Sequence, residues 1–242
     1  MCETCGCGDT DLVSVEVGER LLQRNDRVAA HNRRHFETAG VLAINLMGSP
    51  GSGKTALLEA TAARCQTLRL AAVSGDLATD HDAARLRGAG IAARSITTGT
   101  ACHLDASMIH HCLHDTDLEA DLFFIENVGN LVCPAIYDLG QAANVVALAV
   151  TEGEDKPLKY PVMFKGADLV VLTKIDLLPH LPGVSVDRIR AALSRVMPKP
   201  RLLPVSALTG EGLDAWWSWL MVTGRWDARA WGRAHPSRAT AP

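Results

Sequence analysis

The sequence has no excess of charge of either sign: 24 Lys and Arg stand against 27 Asp and Glu, a formal net charge of -3. That excludes the broad basic field on which nucleic-acid binding relies. No apolar run approaches the roughly 20 residues needed to cross a bilayer, so no membrane span is expected. The opening Met-Cys-Glu-Thr-Cys-Gly-Cys-Gly has no basic stretch and no apolar core, so it does not read as a secretory signal. A cytoplasmic location follows as the expectation. No internal repeat is visible. A disulfide framework is also missing: the 7 cysteines are odd in number, and Cys2, Cys5 and Cys7 are crowded together. Reduced or metal-bound thiols fit that spacing better.

What is present fits one α/β domain. The chain of 242 residues, 48% hydrophobic, is long enough for a substantial core. The pattern from Leu12 to about Phe36 predicts a helix ending near Gly40. Nearly continuous apolar runs then follow at Val41–Met47, Leu70–Val73, Leu122–Ile125, Val145–Val150, Leu169–Leu172 and Leu202–Val205. Such runs suit parallel strands covered on both faces. Helical patterns lie between them at Ala56–Cys65, Asp80–Arg87, Asp105–His114, Val186–Val196 and Leu213–Leu220. The alternation predicts a mostly parallel sheet flanked by helices. Residues 1–10 read as a flexible Cys-rich metal-binding segment, 11–223 as the folded domain and 224–242 as a disordered tail.

Gly48-Ser49-Pro-Gly51-Ser52-Gly53-Lys54-Thr55 matches the G-x-x-x-x-G-K-T phosphate loop and sits between a strand and a helix, the context that motif requires. The glycines let backbone N–H groups converge on phosphate oxygens, and the helix N-terminus adds a favourable dipole. Lys54 is the candidate for the β/γ-phosphates and Thr55 for Mg²⁺. Thr173-Lys174-Ile175-Asp176 resembles the N-K-x-D element of GTPases with Thr in place of Asn. Asp176 is acceptor-only and matches the two donors on the guanine edge, while the stem of Lys174 can lie along the base. Replacing Asn by Thr removes a carboxamide that could contact both loop and base. Val205-Ser206-Ala207 resembles the backbone that completes a guanine pocket. Asp76 and Glu126 each follow a strand and are candidates for Mg²⁺ or its water shell. Glu126-x-x-Gly129 resembles the segment whose glycine N–H senses the γ-phosphate. No residue clearly positions an attacking water, so slow hydrolysis is expected.

Two metal sites are candidates. Cys2, Cys5 and Cys7 offer three thiolates within six residues, and thiolates favour Ni²⁺, Zn²⁺ or Cu(I). With Met1 removed, the Cys2 amine could add a fourth ligand in a planar arrangement that Ni²⁺ tolerates and Zn²⁺ does not prefer. The second candidate joins Cys102-His103, after the loop signal Thr97-Thr98-Gly99-Thr100, to Cys133. Adjacent ligands point apart in an extended chain, so either a loop geometry or an ion shared by two copies of the chain is required. His110, His111 and His114, beside Cys112, read as a surface helix face, although His110 and His114 are an i,i+4 pair.

In this order these motifs resemble the HypB family, GTPase accessory proteins for nickel insertion into nickel–iron hydrogenase. The resemblance also rests on Ala101-Cys102-His103-Leu104-Asp105, on Phe124–Pro134 and on Val150–Pro161, and spans roughly residues 25–222 plus the N-terminus. It implies a P-loop GTPase of the signal-recognition and Min-protein class that binds GTP/GDP with Mg²⁺. It also implies a tight Ni²⁺ site at Cys2, Cys5 and Cys7, and a weaker one for Ni²⁺ or Zn²⁺ at Cys102, His103 and Cys133. Further implications are a GTP-favoured homodimer, with Lys156 or Lys159 reaching the other subunit's nucleotide, and two partners: a second nickel-maturation protein and the hydrogenase large subunit. The chain departs from the pattern at Thr173 and in having no histidine-rich stretch before the GTPase domain. Two other functions are open: a metal buffer with vestigial GTP binding, against which intact Lys54, Thr55 and Asp176 argue, and a relative serving urease or a cobalamin enzyme, against which the Cys-rich N-terminus argues.

Overall fold

The computed structural model describes residues 10–65, 67–76, 79–99, 101–114 and 119–225, with side chains from residue 19 onward. Cys2, Cys5, Cys7 and the tail from residue 226 lie outside the described residues. Helix α1 (Thr10–Ala39) leads into β1 (Leu42–Met47). There follow α2 (Lys54–Arg64), β2 (Leu70–Asp76), α3 (His81–Gly88), β3 (Ala92–Thr97), α4 (Ala106–His114) and β4 (Leu122–Glu126). The second half comprises β5 (Ala143–Ala149), the short α5 (Lys156–Lys159) and α6 (Pro161–Lys165), β6 (Leu169–Thr173), α7 (Val186–Val196), β7 (Leu202–Pro204) and α8 (Leu213–Thr223). All strand pairs are parallel, in the order β3-β2-β4-β1-β5-β6-β7.

The apolar runs explain this sheet. Every residue of β1, β4 and β6 is buried, which requires cover on both faces. On one face Leu57, Leu58, Leu86, Trp216 and Leu220 from α2, α3 and α8 pack on Ile44, Leu46 and Phe124. On the other, Phe36, Ile109 and Leu113 cover Ala43, Val73 and Ile125, while Phe164, Ile189 and Leu193 cover Val146 and Val170. Because the strands are parallel, β1, β2, β4 and β6 all end at one edge. Gly48, Asp76, Glu126 and Thr173 meet there, where such sheets present ligand-binding residues.

Seven strands are found where six apolar runs were visible. The additional one, β3, is a sheet edge with alternating exposure and Arg94 at its middle, so it lacks the apolar run that marks a buried strand. The helices α5 and α6 are too short to display a 3.6-residue period. Each has Pro in its first turn, at Pro157 and Pro161, where the missing N–H costs no hydrogen bond.

Helix α1 is docked by two buried asparagines. The Asn25 amide donates to the Asp138 carbonyl (2.8 Å) and its Oδ1 accepts from the Ala106 N–H (2.9 Å), satisfying an otherwise orphaned donor at the start of α4. Gly140 lies so close beneath α1 that a Cβ there would stand 2.7 Å from the Ala29 carbonyl oxygen. Among the described residues no helix is long and apolar enough to cross a membrane.

Candidate nucleotide and metal sites

The phosphate loop turns out of β1 on three glycines with positive φ: 150° at Gly48, 72° at Gly51 and 88° at Gly53. At Gly48 only hydrogen fits, because a Cβ would stand 2.4 Å from the Ala147 carbonyl oxygen. Lys54 is buried, and its ammonium donates to the Gly48 (3.3 Å) and Ser49 (3.1 Å) carbonyls. Burial lowers its pKa, against the attraction of Glu126, Asp82 and Glu152. The Ser52 hydroxyl is buried with no hydrogen-bond partner. An anion in the loop would give it one.

Thr55 Oγ1 lies 2.7 Å from Glu126 Oε1, to which it donates, and 3.1 Å from Asp82 Oδ1. Glu126 is 2% exposed, and its Oε2 has no partner. Burial pushes its pKa up to about 7, against the Thr55 hydrogen bond and the Lys54 charge. A hydroxyl, an orphaned carboxylate oxygen and a second carboxylate form the all-oxygen donor set that suits Mg²⁺. Asp76 lines the same cavity of about 560 Å³, and its Oδ1 accepts from the Thr79 N–H (2.8 Å). Asp82 was not a candidate from the sequence. It occupies the first turn of α3, and only the packing of α3 on α2 brings it to Thr55. Glu152 was also missed: it accepts from the Ser49 hydroxyl (2.5 Å) and pairs with Lys156 (3.4 Å). Lys159 pairs with Asp155 at 2.7 Å, so within one chain both lysines already hold carboxylates.

Beside the loop lies a cavity of about 170 Å³ lined by Gly53, Ala56, Thr173, Lys174, Asp176 and Ala207, among others. Asp176 Oδ1 accepts from the fully buried Ser206 hydroxyl (2.5 Å), which fixes the carboxylate. Lys174 takes a left-handed backbone, φ 60°. Thr173 Oγ1 donates to the Ser52 carbonyl (2.6 Å), so the tie between base strand and phosphate loop survives the loss of Asn. Removing that hydroxyl leaves a buried carbonyl unpaired, which costs about 1–3 kcal/mol. Thr173→Val is therefore expected to lower stability to urea by that amount and to weaken GTP binding. A Val variant unchanged in both would show that the tie contributes nothing.

Gly129 packs against the phosphate loop, where a Cβ would stand 2.8 Å from Pro50 Cγ. The next residue, Asn130, forms an antiparallel bridge with Gly48 and donates from its amide to the Cys102 carbonyl (3.3 Å). Cys102 Sγ lies 2.9 Å from Cys133 Sγ, as a hydrogen-bonded thiol pair, and 3.9 Å from His103 Nδ1. The ligand atoms of all three residues fall within 4.8 Å of one another. The awkwardness of adjacent ligands is resolved by a bend at Cys102 and His103. Two thiolates on a tetrahedral ion stand about 3.8 Å apart, given a metal–sulfur distance of about 2.3 Å, so closing on a cation opens the thiol pair by about 1 Å. The Cys102 hydrogen bond, then burial, raises the Cys133 pKa, and burial lowers that of His103 against the pull of Asp105. The His103 ring stacks on Tyr137 with centroids 3.9 Å apart.

Residues 42–203 match the family model described as CobW/HypB/UreG, nucleotide-binding domain. The chain is 53% identical over 211 residues to the hydrogenase maturation factor HypB of Rhizobium leguminosarum bv. viciae, covering 86% of this chain and 70% of the relative. The chain belongs to the HypB family of hydrogenase maturation factors. The HypB crystal structure from Helicobacter pylori in complex with nickel superposes with a TM-score of 0.79 at 38% identity, covering 88% of this chain and 99% of that one. A HypB of Helicobacter pylori described as a hydrogenase/urease maturation factor is 40% identical over 212 residues, covering 86% of this chain and 87% of the relative. The matched family model is that of a nucleotide-binding domain, and the Helicobacter pylori structure is described in complex with nickel.

Proposed function

We propose that this chain hydrolyses GTP with Mg²⁺ and uses its nucleotide state to govern a Ni²⁺ ion bound by Cys102, His103 and Cys133, which it helps to insert into the large subunit of nickel–iron hydrogenase. The observation that carries this reading is Asn130. Its backbone is bridged to Gly48 of the phosphate loop and its side chain holds the Cys102 carbonyl. A shift at Gly129 on γ-phosphate binding would thus reach both Cys102 and Cys133.

In this reading the Lys54 ammonium leaves the Gly48 and Ser49 carbonyls for the β/γ-phosphate oxygens. Thr55 and Glu126 would hold Mg²⁺, with Asp82 and Asp76 facing its water shell; the ion would neutralise charge developing on the transferred phosphoryl group. Asp176 accepts the guanine donors. Cys2, Cys5 and Cys7 supply the tighter nickel site, and Zn²⁺ competes at the internal one. Turnover takes place in the cytoplasm in a GTP-favoured homodimer, with a second nickel-maturation protein as partner and Lys156 or Lys159 reaching across. A second target, urease, is favoured by the relative whose description includes it.

The test is Ni²⁺ affinity of a variant lacking Cys2, Cys5 and Cys7, measured with GDP and with a non-hydrolysable GTP analogue. Coupling of about 1–3 kcal/mol, or roughly 5- to 150-fold, is expected. Equal affinities in the two states would sink the gating idea. ATP turnover matching that with GTP would sink the base-pocket assignment.

A further inference from the structure

Five histidines gather where α1 meets α4, at the end of α4 remote from Cys102 and His103. Each helix contributes an i,i+4 pair, His31 with His35 and His110 with His114, so each pair lies along one helix face. The His110 ring lies 4.3 Å from His114 and 5.0 Å from His31, centroid to centroid, and His35 lies 6.2 Å from His114. Nitrogens of His31, His110 and His114 come within 4.8 Å of one another. A surface face describes His111 and His114, which are exposed; His110 is half-buried against α1.

We propose that His31, His110 and His114 form an all-imidazole site for a divalent transition-metal ion that links α1 to α4, separate from the cysteine sites. The chemistry of His110 is set by Asn32, which is fully buried. The Asn32 amide nitrogen donates to the Ala106 (2.8 Å) and Leu139 (3.2 Å) carbonyls, which uses both its hydrogens. Its Oδ1, 3.3 Å from His110 Nδ1, must therefore accept, so Nδ1 carries the proton. In the neutral ring Nε2 then keeps its lone pair. A histidine whose other nitrogen donates to a fixed acceptor is the usual arrangement behind a metal-bound imidazole. Burial, then the neighbouring rings of His114, His31, His111 and His35, lower the His110 pKa.

The geometry needs little change. Metal–nitrogen bonds of about 2.0–2.1 Å put tetrahedral ligands about 3.4 Å apart. The exposed rings of His31 and His114 can close that gap by rotation about their side-chain bonds while His110 stays anchored. Paired i,i+4 histidines on one helix face are an established chelate for Zn²⁺, and imidazole suits Zn²⁺, Ni²⁺ and Cu²⁺ alike. The fourth position is open to water or to His35. Although no histidine-rich stretch precedes the GTPase domain, folding gathers these histidines of α1 and α4 at one place.

The test uses the full chain with Cys2, Cys5, Cys7, Cys102 and Cys133 changed to Ser, titrated with Ni²⁺ or Zn²⁺ alone. One ion per chain is expected by equilibrium dialysis, with the Nε2 resonances of His31, His110 and His114 shifting together on Zn²⁺ binding in nitrogen-15 spectra. Adding His31→Ala and His114→Ala, both at exposed positions, should weaken binding by more than about tenfold without altering the far-ultraviolet spectrum. Absence of binding at millimolar metal, retention of the ion in the double variant, or shifts confined to other histidines would each overturn the proposal.

Discussion

Asp176→Asn is expected to weaken GTP binding by about 3 kcal/mol or more, roughly a hundredfold, and to admit xanthine nucleotides in its place. A hydrogen bond to a charged group contributes about 1.5–3 kcal/mol, and the carboxylate is placed to accept two. Asn offers one acceptor and one donor, so one guanine donor faces a donor, whereas xanthine presents a carbonyl at that position. The substitution should leave the fold undisturbed. The Ser206 hydroxyl that fixes Asp176 donates to Oδ1, and an Asn Oδ1 accepts it equally well. Competition binding with GTP, XTP and ATP checks this. An Asn variant that still prefers GTP over XTP would place base recognition elsewhere.

Glu126→Gln should stabilise the nucleotide-free protein while slowing GTP hydrolysis by about 10²-fold or more. The fold raises the Glu126 pKa from 4.5 to about 7, chiefly through burial, so folding favours the protonated form. The direction follows from linkage: the stability tied to this proton is complete below the unfolded value and is lost as pH rises through about 7. The full loss is on the order of 3 kcal/mol. A Gln side chain is neutral at every pH. It should therefore match wild type near pH 4 and exceed it by about 1–3 kcal/mol at pH 8, in urea denaturation without Mg²⁺ or nucleotide. Equal stability at pH 8 would mean that the buried carboxylate is not strained. A Gln variant with full GTPase activity would remove Glu126 from the proposed Mg²⁺ set.

The parallel sheet and the phosphate loop could be read from the sequence because their signals are local. Nearly unbroken apolar runs mark strands buried on both faces, and Gly48–Thr55 carries its whole geometry in eight consecutive positions. That Thr173 and Asp176 would lie beside that loop was legible for the same reason. The compensation at Thr173 was not, because its hydroxyl meets Ser52 across 121 positions of sequence. Asp82 and Glu152 escaped notice because neither belongs to a motif; tertiary packing alone brings them to Thr55 and Ser49. Edge strand β3 failed to show because an edge position does not demand an apolar run. The histidines of α4 read as a surface face because their partners, His31 and His35, lie on a helix 79 positions earlier (110 − 31 and 114 − 35), and sequence periodicity does not report which helix a face meets.

Asn130 binds the histories of two sites together. Its backbone bridges Gly48 while its amide holds the Cys102 carbonyl, so a replacement there keeps the bridge, which any residue can make, and releases the loop of the proposed metal site. A lineage that gave up the internal thiols would have no further use for the amide and could exchange Asn130, because the bridge to Gly48 needs only backbone. One that kept them would find neighbouring changes acceptable only in sets. Descendants of such a chain should lose or retain Asn130, Cys102 and Cys133 as a group, while the histidines of α1 and α4, outside that circuit, remain free to come and go.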